Sequence, residues 1–495
     1  MRKVNIIVLL FISLFLVSCS KAEPDASYDR PSFMMPEDSN MVGEGYNEIK
    51  EFDFIDTNES CETFFKLDSN TASYSNLRRY IVMGQKIHGD IIKTDELLNY
   101  FNYDFEEPAK GETFSIKANI MDTPWNQNTS LVTIGVKTKT VELSQNISNN
   151  LVFLIDVSGS MRSNEKIGLI KQAFPLMLDG LNQSDKISIV TYASGVKVLL
   201  DGCPVSNAQT ILEVINSLSA GGSTAGSDGL ARAYNVCKKH FIEGGNNRII
   251  LATDGDFNVG PSSNEELKEQ VKKQLTSGVY LSVLGFGMGN YQDDLVETLA
   301  MNGNGNYAYI DTLNEAKKVL TDDLAKTLIS VAKDVKAKVT FNPNYIEQFR
   351  VIGYENKQLT EDEFEDEQAD SSEVGSGHTT VVTYEVKFKE NVQIPSNEEL
   401  FDIVINYKDP NTEESKTFES SFYGEDMTSL PIEDFIFASC VVEFSLVLRN
   451  SDYKADASLS NVLRRLNSLT SIQNDPYKLE FKELVTKVIN QNLAQ

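Results

Sequence analysis

The stretch LVFLIDVSGSM, residues 151–161, decides the fold of this chain. Its first five residues are apolar, and a run of this length predicts a buried strand. Asp156, Ser158 and Ser160 follow at the carboxyl end of that strand. Carboxylate and hydroxyl oxygens suit Mg²⁺, Mn²⁺ or Ca²⁺ rather than zinc. The same serines could instead cap the next helix, so this stretch by itself leaves a cation site and a helix cap equally open.

Strands and helices alternate on the C-terminal side of this stretch. Short apolar strands and amphipathic helix faces follow one another from residue 151 to residue 331. One of the strands, Arg248 to Ala252, ends in Thr253-Asp254, and residues 314–331 predict one long closing helix. The alternation predicts an α/β fold: a doubly wound, mostly parallel, Rossmann-like sheet with helices on both faces.

The sequence on either side of this block changes to a period of two residues, which is typical of antiparallel strands. The pattern runs through residues 113–147 and returns after Asp334. These two parts resemble one interrupted β domain, so we expect the α/β block to be inserted into a β-sandwich-like domain. Apolar helix faces before and after these strands predict helical N- and C-terminal segments.

The chain therefore divides into the following predicted segments. They are a lipoprotein signal peptide (1–18), a flexible tether (19–60), an N-terminal helical region (61–110), a first set of β strands (111–150), the α/β domain (151–331), a second set of β strands (332–428) and a C-terminal helical region (429–495).

The first residues read as an export signal. Arg2 and Lys3 precede an apolar run that ends at Val17, and Leu16-Val17-Ser18-Cys19 resembles the lipobox of bacterial lipoproteins. The resemblance implies cleavage before Cys19 and acylation of its thiol; an unprocessed signal anchor is the alternative. We therefore expect a lipid-anchored protein of the cell envelope, either at the outer membrane on its periplasmic or surface face, or at the cell surface.

Composition and charge limit the classes of partner. The chain has 495 residues and a formal net charge of −27, which argues against a nucleic-acid partner. Cys61, Cys203, Cys237 and Cys440 remain after Cys19, and their even number permits disulfides without showing them. The three histidines are far apart in sequence, which argues against a zinc site.

Oxygen-bearing side chains from three loops are candidates for one cation site. Ligands bind at the carboxyl ends of strands in open α/β sheets, where Asp156, Ser158, Ser160 and Asp254 are expected, and Thr224 lies in a glycine-rich turn before a helix. Only two of these side chains carry formal charge. An ion held in this way keeps an open position, which an outside carboxylate could fill.

These residues resemble the metal-ion-dependent adhesion site of von Willebrand factor type A domains. The match rests on three separated motifs: Asp156 to Ser160, Thr224, and Thr253-Asp254-Gly255. The resemblance implies that Ser158, Ser160 and Thr224 ligate the ion, with Asp156 and Asp254 acting directly or through water. The implied cofactor is a divalent cation, Mg²⁺, with Mn²⁺ and Ca²⁺ as alternatives.

A wider resemblance extends to bacterial YfbK-type lipoproteins. It rests on the stretches NTASYSNLRR (70–79), ELLNYF (96–101) and VGSGH (374–378). It implies that residues 61–110 are a von Willebrand-associated region and that the C-terminal domain has no assigned role. Two features depart from the family pattern: the stretch Asp68-Ser69-Asn70, where the family more usually shows a second aspartate, and Pro175.

The leading functional hypothesis is a binding protein whose partner presents an Asp or Glu carboxylate to the ion. The acidic run 361–370, expected to be a solvated loop, could occupy the site in cis. A Mg²⁺-dependent phosphohydrolase is the alternative, but position 158 is serine and no obvious base or lysine accompanies Asp156, so we do not expect an enzyme. Residues 285–289, GFGMG, do not match GxGxxG and predict a tight turn rather than a nucleotide site.

Overall fold

An α/β domain occupies the middle of the chain, and strands of a β-sandwich flank it in sequence on both sides. The computed structural model describes residues 46, 48–67, 70–141, 148–223, 226–255, 264–275, 277–287, 293–366, 372–410, 412–428 and 431–494. The predicted signal peptide, Cys19 and Thr224 lie outside these residues.

The part before the α/β domain contains both strands and helices. In chain order its elements are β1 (Ile55–Asp56), β2 (Glu62–Lys66), α1 (Ala72–Met83), α2 (Thr94–Asn99), β3 (Phe114–Asp122) and β4 (Ser130–Thr138).

The α/β domain has the predicted alternation of strands and helices. Its elements are β5 (Asn149–Asp156), α3 (Ile167–Asp179), β6 (Lys186–Tyr192), β7 (Val196–Pro204), α4 (Ala208–Ser217), α5 (Gly226–Lys239), β8 (Asn246–Thr253), α6 (Asn264–Leu275), β9 (Tyr280–Phe286), α7 (Asp293–Asn302), β10 (Tyr307–Ile310), α8 (Leu313–Lys317) and α9 (Leu324–Leu328).

The sheet of this domain has the strand order β10-β9-β8-β5-β6-β7. All neighbouring pairs are parallel except β6 and β7, which are antiparallel. Separate apolar cores lie on its two faces, one including α3 and α4 and the other α5 and α7. The predicted doubly wound, mostly parallel sheet is confirmed, and β5 lies near its middle because its run of apolar residues suits burial on both faces.

The predicted closing helix over residues 314–331 is wrong. Helix α8 ends at Lys317, and a π-helical turn from Lys318 to Asp322 separates it from α9. The backbone N–H of Asp323 donates to the Lys318 carbonyl at 2.8 Å, five residues earlier, and the Lys318 ammonium binds the Asp323 carboxylate. The π-helical turn thus brings Lys318 and Asp323 together as an ion pair. The next strand begins at Ser330.

The part after the α/β domain completes the fold. Its elements are β11 (Ser330–Phe341), β12 (Ile346–Ile352), α10 (Glu361–Glu365), β13 (Ser372–Gly375), β14 (Thr379–Phe388), β15 (Glu399–Lys408), β16 (Ser415–Tyr423), α11 (Glu433–Arg449), α12 (Leu459–Ser468) and α13 (Pro476–Gln491).

The flanking strands form one β-sandwich, as predicted. One sheet has the order β1-β12-β14-β4-β3, so strands from before and after the inserted domain pair directly, with Ile134 opposite Val382. The other sheet has the order β13-β11-β15-β16, and β2 pairs with β11. The strands β1 and β2 fall in ranges that the sequence analysis assigned to a tether and to a helical region.

The N- and C-terminal helices share a single apolar core. Aromatic side chains from both segments meet there: the ring centroids of Phe101 and Phe437 are 4.8 Å apart, and those of Phe437 and Phe481 are 5.6 Å apart. The two helical segments, far apart in sequence, are therefore one packed unit. Within the described residues, no helix has both the length and the apolar character needed to cross a membrane.

The acidic run 361–370 is not a loop in its described part. Residues 361–365 form α10, which begins with a capping box between Thr360 and Glu363. Phe364 is buried and packs against Phe64 of β2 with 5.4 Å between ring centroids. The start of the run is thus fixed to the sandwich, while residues 367–370 lie outside the described residues.

Candidate metal centre

Two neighbouring central strands deliver one carboxylate each to the same edge of the α/β sheet. Asp156 is the last residue of β5, and Asp254 follows the last residue of β8. The strands pair in parallel with Ile155 opposite Ala252, so both side chains lie at the carboxyl end. Asp156 is fully buried and Asp254 is 1% exposed. The edge therefore carries two buried carboxylates, as the sequence predicted.

The two oxygens of Asp156 have different surroundings. Oδ1 accepts a hydrogen bond of 2.7 Å from the backbone N–H of Ser158. Oδ2 is buried and makes no well-formed hydrogen bond within the described residues. Burial raises the pKa of Asp156 to about 6, with a further contribution from the charge of Asp254, while the hydrogen bonds from Ser158 and the nearby hydroxyl of Tyr192 oppose the shift. The second oxygen is a buried acceptor that no described donor other than the nearby Tyr192 hydroxyl approaches, and a cation would satisfy it more fully.

The hydroxyl groups of Ser158 and Ser160 lie close together. The Oγ atoms of Ser158 and Ser160 lie 2.9 Å apart. Ser158 precedes a 3₁₀ turn, Gly159–Arg162, and makes no side-chain capping hydrogen bond to it. Helix α3 also begins without a side-chain cap. The helix-cap interpretation of these serines is therefore wrong for this structure.

The glycine-rich loop before Thr224 is joined to the first loop by backbone hydrogen bonds. The N–H of Gly221 donates to the Val157 carbonyl at 2.7 Å, and the N–H of Gly159 donates to the Gly222 carbonyl at 3.0 Å. Gly222 has a φ of +97°, and a Cβ there would overlap the Ser194 hydroxyl. These contacts bring the loop to the metal-site motif as far as Ser223; the placement of Thr224 itself stays a prediction.

Asp254 has a partner that the sequence analysis missed. The ammonium of Lys166 lies 2.9 Å from Asp254 Oδ2, and Lys166 is 8% exposed. No local pattern indicates that Lys166 pairs with Asp254, because the two residues are 88 positions apart in sequence. A signal was present, since Lys166 is a charged residue directly before the apolar face of α3.

The described residues fit a divalent cation. Asp156, Ser158, Ser160 and Asp254 supply hard oxygen atoms at one edge of the sheet, and the unsatisfied Asp156 Oδ2 is the atom that a cation would satisfy. Among the described residues, no group of three or more His, Cys, Asp or Glu side chains could hold a metal. A cation here would consequently depend on hydroxyl ligands in addition to the two carboxylates.

An open cleft lies beside this cluster, between β6, β7 and the end of α4. Its volume is about 530 Å³. Its wall includes the apolar residues Val157, Leu199 and Leu218 and one basic residue, Lys197. Leu199 is 39% exposed, so an apolar surface of the cleft is accessible from outside. The cleft could receive side chains of a molecule that reaches the cluster from outside.

Family models match three parts of the chain. A model described as "von Willebrand factor" matches residues 40–133, and one described as "von Willebrand factor type A domain" matches residues 151–256. A third, described as "Uncharacterized protein YfbK, C-terminal", matches residues 326–490. The second match contains Asp156, Ser158, Ser160, Thr224 and Asp254.

Individual proteins and solved structures are also similar to this chain. "Uncharacterized protein YfbK" of Escherichia coli (strain K12) is 36% identical over 443 residues, which are 85% of this chain and 77% of that protein. "Inter-alpha-trypsin inhibitor heavy chain H3" of Homo sapiens is 30% identical over 168 residues, which are 32% of this chain and 18% of that protein. The solved structure "von Willebrand factor type A from Catenulispora acidiphila" aligns with 78% of this chain and 91% of that chain, at 16% identity and a TM-score of 0.42.

Proposed function

Because this chain belongs to the YfbK family of von Willebrand factor type A proteins, we propose that it is a lipid-anchored lipoprotein that binds a partner protein through a divalent cation. Domains of this type generally mediate protein–protein interaction, and they commonly bind a divalent cation. The observation that carries the proposal is the meeting of Asp156, Ser158, Ser160 and Asp254 at one edge of the sheet, with a buried carboxylate oxygen left unsatisfied.

In this proposal the cation is held by Asp156, Ser158, Ser160, Thr224 and Asp254. The ligands carry two negative charges, fewer than dedicated all-carboxylate sites supply. Mg²⁺ keeps several water ligands when a protein offers few carboxylates, so an outside oxygen can enter its shell. We propose that this oxygen belongs to an Asp or Glu of the partner.

The cleft beside the cluster supports a protein partner rather than a small anion. It is lined by apolar side chains together with Lys197, and this mixture suits the residues that flank a carboxylate in a protein. The overall charge of −27 would repel an acidic protein at long range, so the local contacts would set specificity.

The first test is calorimetric titration of the folded chain with Mg²⁺. We expect one site in the wild type, and none after Asp156→Ala. Asp179→Ala is the matched control because Asp179 is an exposed carboxylate at the end of α3 in the same domain. Absence of Mg²⁺ and Mn²⁺ uptake by the folded wild type, both without and with acetate as a carboxylate source, would reject the proposal.

The second test concerns the partner. Crosslinking in intact cells, followed by mass spectrometry, should identify a protein that is captured by the wild type and by Asp179→Ala. Capture should be lost with a chelator and with Asp156→Ala. Equal capture in all four conditions would show that the contact does not involve the cation.

The anchor is a separate part of the proposal. Acylation of Cys19 would hold the chain at a membrane surface of the cell envelope, at the outer membrane or the cell surface. Labelling with an alkyne fatty acid should mark the wild type but not Cys19→Ala, and the variant should leave the membrane fraction. Membrane retention of an unlabelled Cys19→Ala would favour a retained signal anchor instead.

Phosphohydrolase activity remains the contrasting possibility. Lys166 supplies a lysine near the cluster, but its ammonium is buried and bound to Asp254, and Ser158 stands where a second aspartate would be needed. We therefore infer a binding protein. A phosphatase assay with Mg²⁺ should show no activity that Asp156→Asn removes; activity lost in that variant would support an enzyme.

A further inference from the structure

Lys166 is built into the candidate metal centre. Its side chain is 10% exposed, that of Asp254 is fully buried, and the ammonium lies 2.9 Å from Asp254 Oδ2. Lysine loses considerable side-chain entropy when it is fixed in one conformation, and a buried ammonium needs a partner. The position of Lys166 thus depends on a specific contact with a predicted metal ligand.

The backbone at the end of β9 makes room for this side chain. Gly287 has a φ of +84°, and a Cβ at Gly287 would overlap Lys166 Cε and lie 2.8 Å from Cδ. The hydroxyl of Tyr309 donates to the Gly287 carbonyl and fixes this stretch. Gly287, the middle glycine of the GFGMG stretch, therefore has a role that was not predicted from the sequence. Its missing Cβ leaves the space that the Lys166 side chain occupies.

The contact changes the charge of the centre. Asp156 and Asp254 supply two negative charges, and Lys166 cancels one of them. A divalent cation would therefore leave an excess positive charge instead of an electrically neutral centre. Repulsion between the ammonium and a divalent cation bound to the same carboxylate is strong in a buried site. A carboxylate from outside would restore neutrality.

We propose that Lys166 is a fixed internal counter-ion that weakens binding of a bare cation and makes its retention depend on an anionic partner. This inference rests on the proposed cation site. It adds a coupling between the binding of the cation and the binding of the partner's carboxylate. By linkage, each ligand then raises the affinity of the other by the same factor. The cation would be held firmly only in the complex, which makes capture of the partner and capture of the ion a single event.

The test compares Mg²⁺ titrations of wild type, Lys166→Met and Lys166→Arg, with sodium acetate as the carboxylate probe. In the absence of acetate, Lys166→Met should bind Mg²⁺ about tenfold or more tightly than the wild type. Acetate should strengthen Mg²⁺ binding by the wild type and by Lys166→Arg, which keeps the charge, and should have a smaller effect in Lys166→Met. Lys171→Met is the matched control, because Lys171 lies on α3 shortly after Lys166 and its ammonium makes an exposed hydrogen bond to the backbone carbonyl of Asn216 instead of a contact with the centre.

A second readout does not depend on calorimetry. Mg²⁺ should raise the melting temperature of Lys166→Met more than that of the wild type, because binding stabilises the folded state according to affinity. If Lys166→Met does not fold, Lys166→Gln replaces it as a polar, neutral variant.

The outcomes separate this inference from the proposed function. Mg²⁺ uptake by the wild type with equal or weaker uptake by the neutral variants would overturn the role of Lys166 and leave the cation site standing. An equal acetate effect in all variants would overturn the coupling. No uptake by any folded variant would overturn both proposals. Uptake by the neutral variants alone in the absence of acetate, with uptake by the wild type once acetate is added, would support the counter-ion role.

Discussion

Arg78 and Glu315 form a buried ion pair, with 2.7 Å between Nη2 and Oε2 and side chains that are 4% and 1% exposed. Arg78 lies on α1, and Glu315 lies on α8 at the end of the α/β domain. The same guanidinium binds Asp311, which follows β10, and Glu480 of α13. One cation therefore joins the α/β domain to both the N-terminal and the C-terminal helices.

Replacement of Arg78 by methionine should destabilise the protein strongly. The carboxylates of Glu315 and Asp311 would stay buried without a cation, and breaking a buried pair in this way costs about 3–5 kcal/mol. Urea unfolding should show the loss as a lower midpoint. Arg464→Met is the control, because Arg464 is exposed on α12. A double variant Arg78→Met/Glu315→Gln should recover part of the loss. Equal urea midpoints for Arg78→Met and the control Arg464→Met would contradict the role of Arg78.

Gly135 on β4 is required by an aromatic ring. A Cβ at this position would overlap the edge of the buried Phe105 ring, which would have to move. We expect Gly135→Ala to lower the free energy of unfolding by about 1–3 kcal/mol, as overpacking usually does. Gly195→Ala should be nearly neutral, since a Cβ there meets no atom within 4 Å. The cost of Gly135→Ala should shrink in a Phe105→Leu background; an unchanged cost would rule out this clash as the cause.

His378 should make the protein less stable in acid. It is buried, its Nε2 has no hydrogen-bond partner among the described residues, and burial lowers its pKa to about 3, with Lys326, Lys318 and Asp323 nearby. The unfolded state, with a pKa near 6.5, binds more protons between pH 6.5 and pH 3. The contribution of the neutral ring is thus complete above pH 6.5 and is lost as the pH falls toward 3.

The variant His378→Gln should lack this part of the acid sensitivity. Between pH 7.5 and pH 5, the wild type should lose about 2 kcal/mol more of its unfolding free energy than the variant. Urea titrations at the two pH values measure this difference, and His88→Gln, at an exposed position, should behave as the wild type. Parallel losses in wild type and His378→Gln would show that His378 is not the titrating group.

Thiol reactivity should divide the four described cysteines into two classes. All four are free, with Cys237 and Cys440 buried and Cys61 and Cys203 partly exposed. Burial raises the pKa of the Cys237 and Cys440 thiols to about 12, which suppresses the reactive thiolate. Iodoacetamide at neutral pH should therefore label Cys61 and Cys203 in the native protein, and the other two only in urea. Mass spectrometry locates the labels; rapid native labelling of Cys237 or Cys440 would contradict the packing.

Local sequence patterns predicted which segments form strands and helices better than they predicted which elements pair or pack with one another. The apolar run at residues 151–155 is the core of β5, because a strand that is buried on both faces needs apolar residues at every position. Strand β2 was assigned to a helical region, since five residues with two adjacent phenylalanines do not by themselves indicate a strand. Its conformation follows from pairing with β11, where Phe65 lies opposite Ala337.

The sequence by itself determined the strands and helices of the α/β domain up to its last helix, that this domain interrupts a sandwich, and which oxygen-bearing side chains lie at the ends of β5 and β8. These are properties of nearest neighbours and of periodicity, and they are encoded within each segment. Only the tertiary structure decided that Lys166 binds Asp254, that Arg78 joins the helices to the α/β domain, and that the two terminal helical segments form one core. Such contacts join residues far apart in the chain, and they depend on where packed elements place the ends of long side chains, which no local pattern specifies.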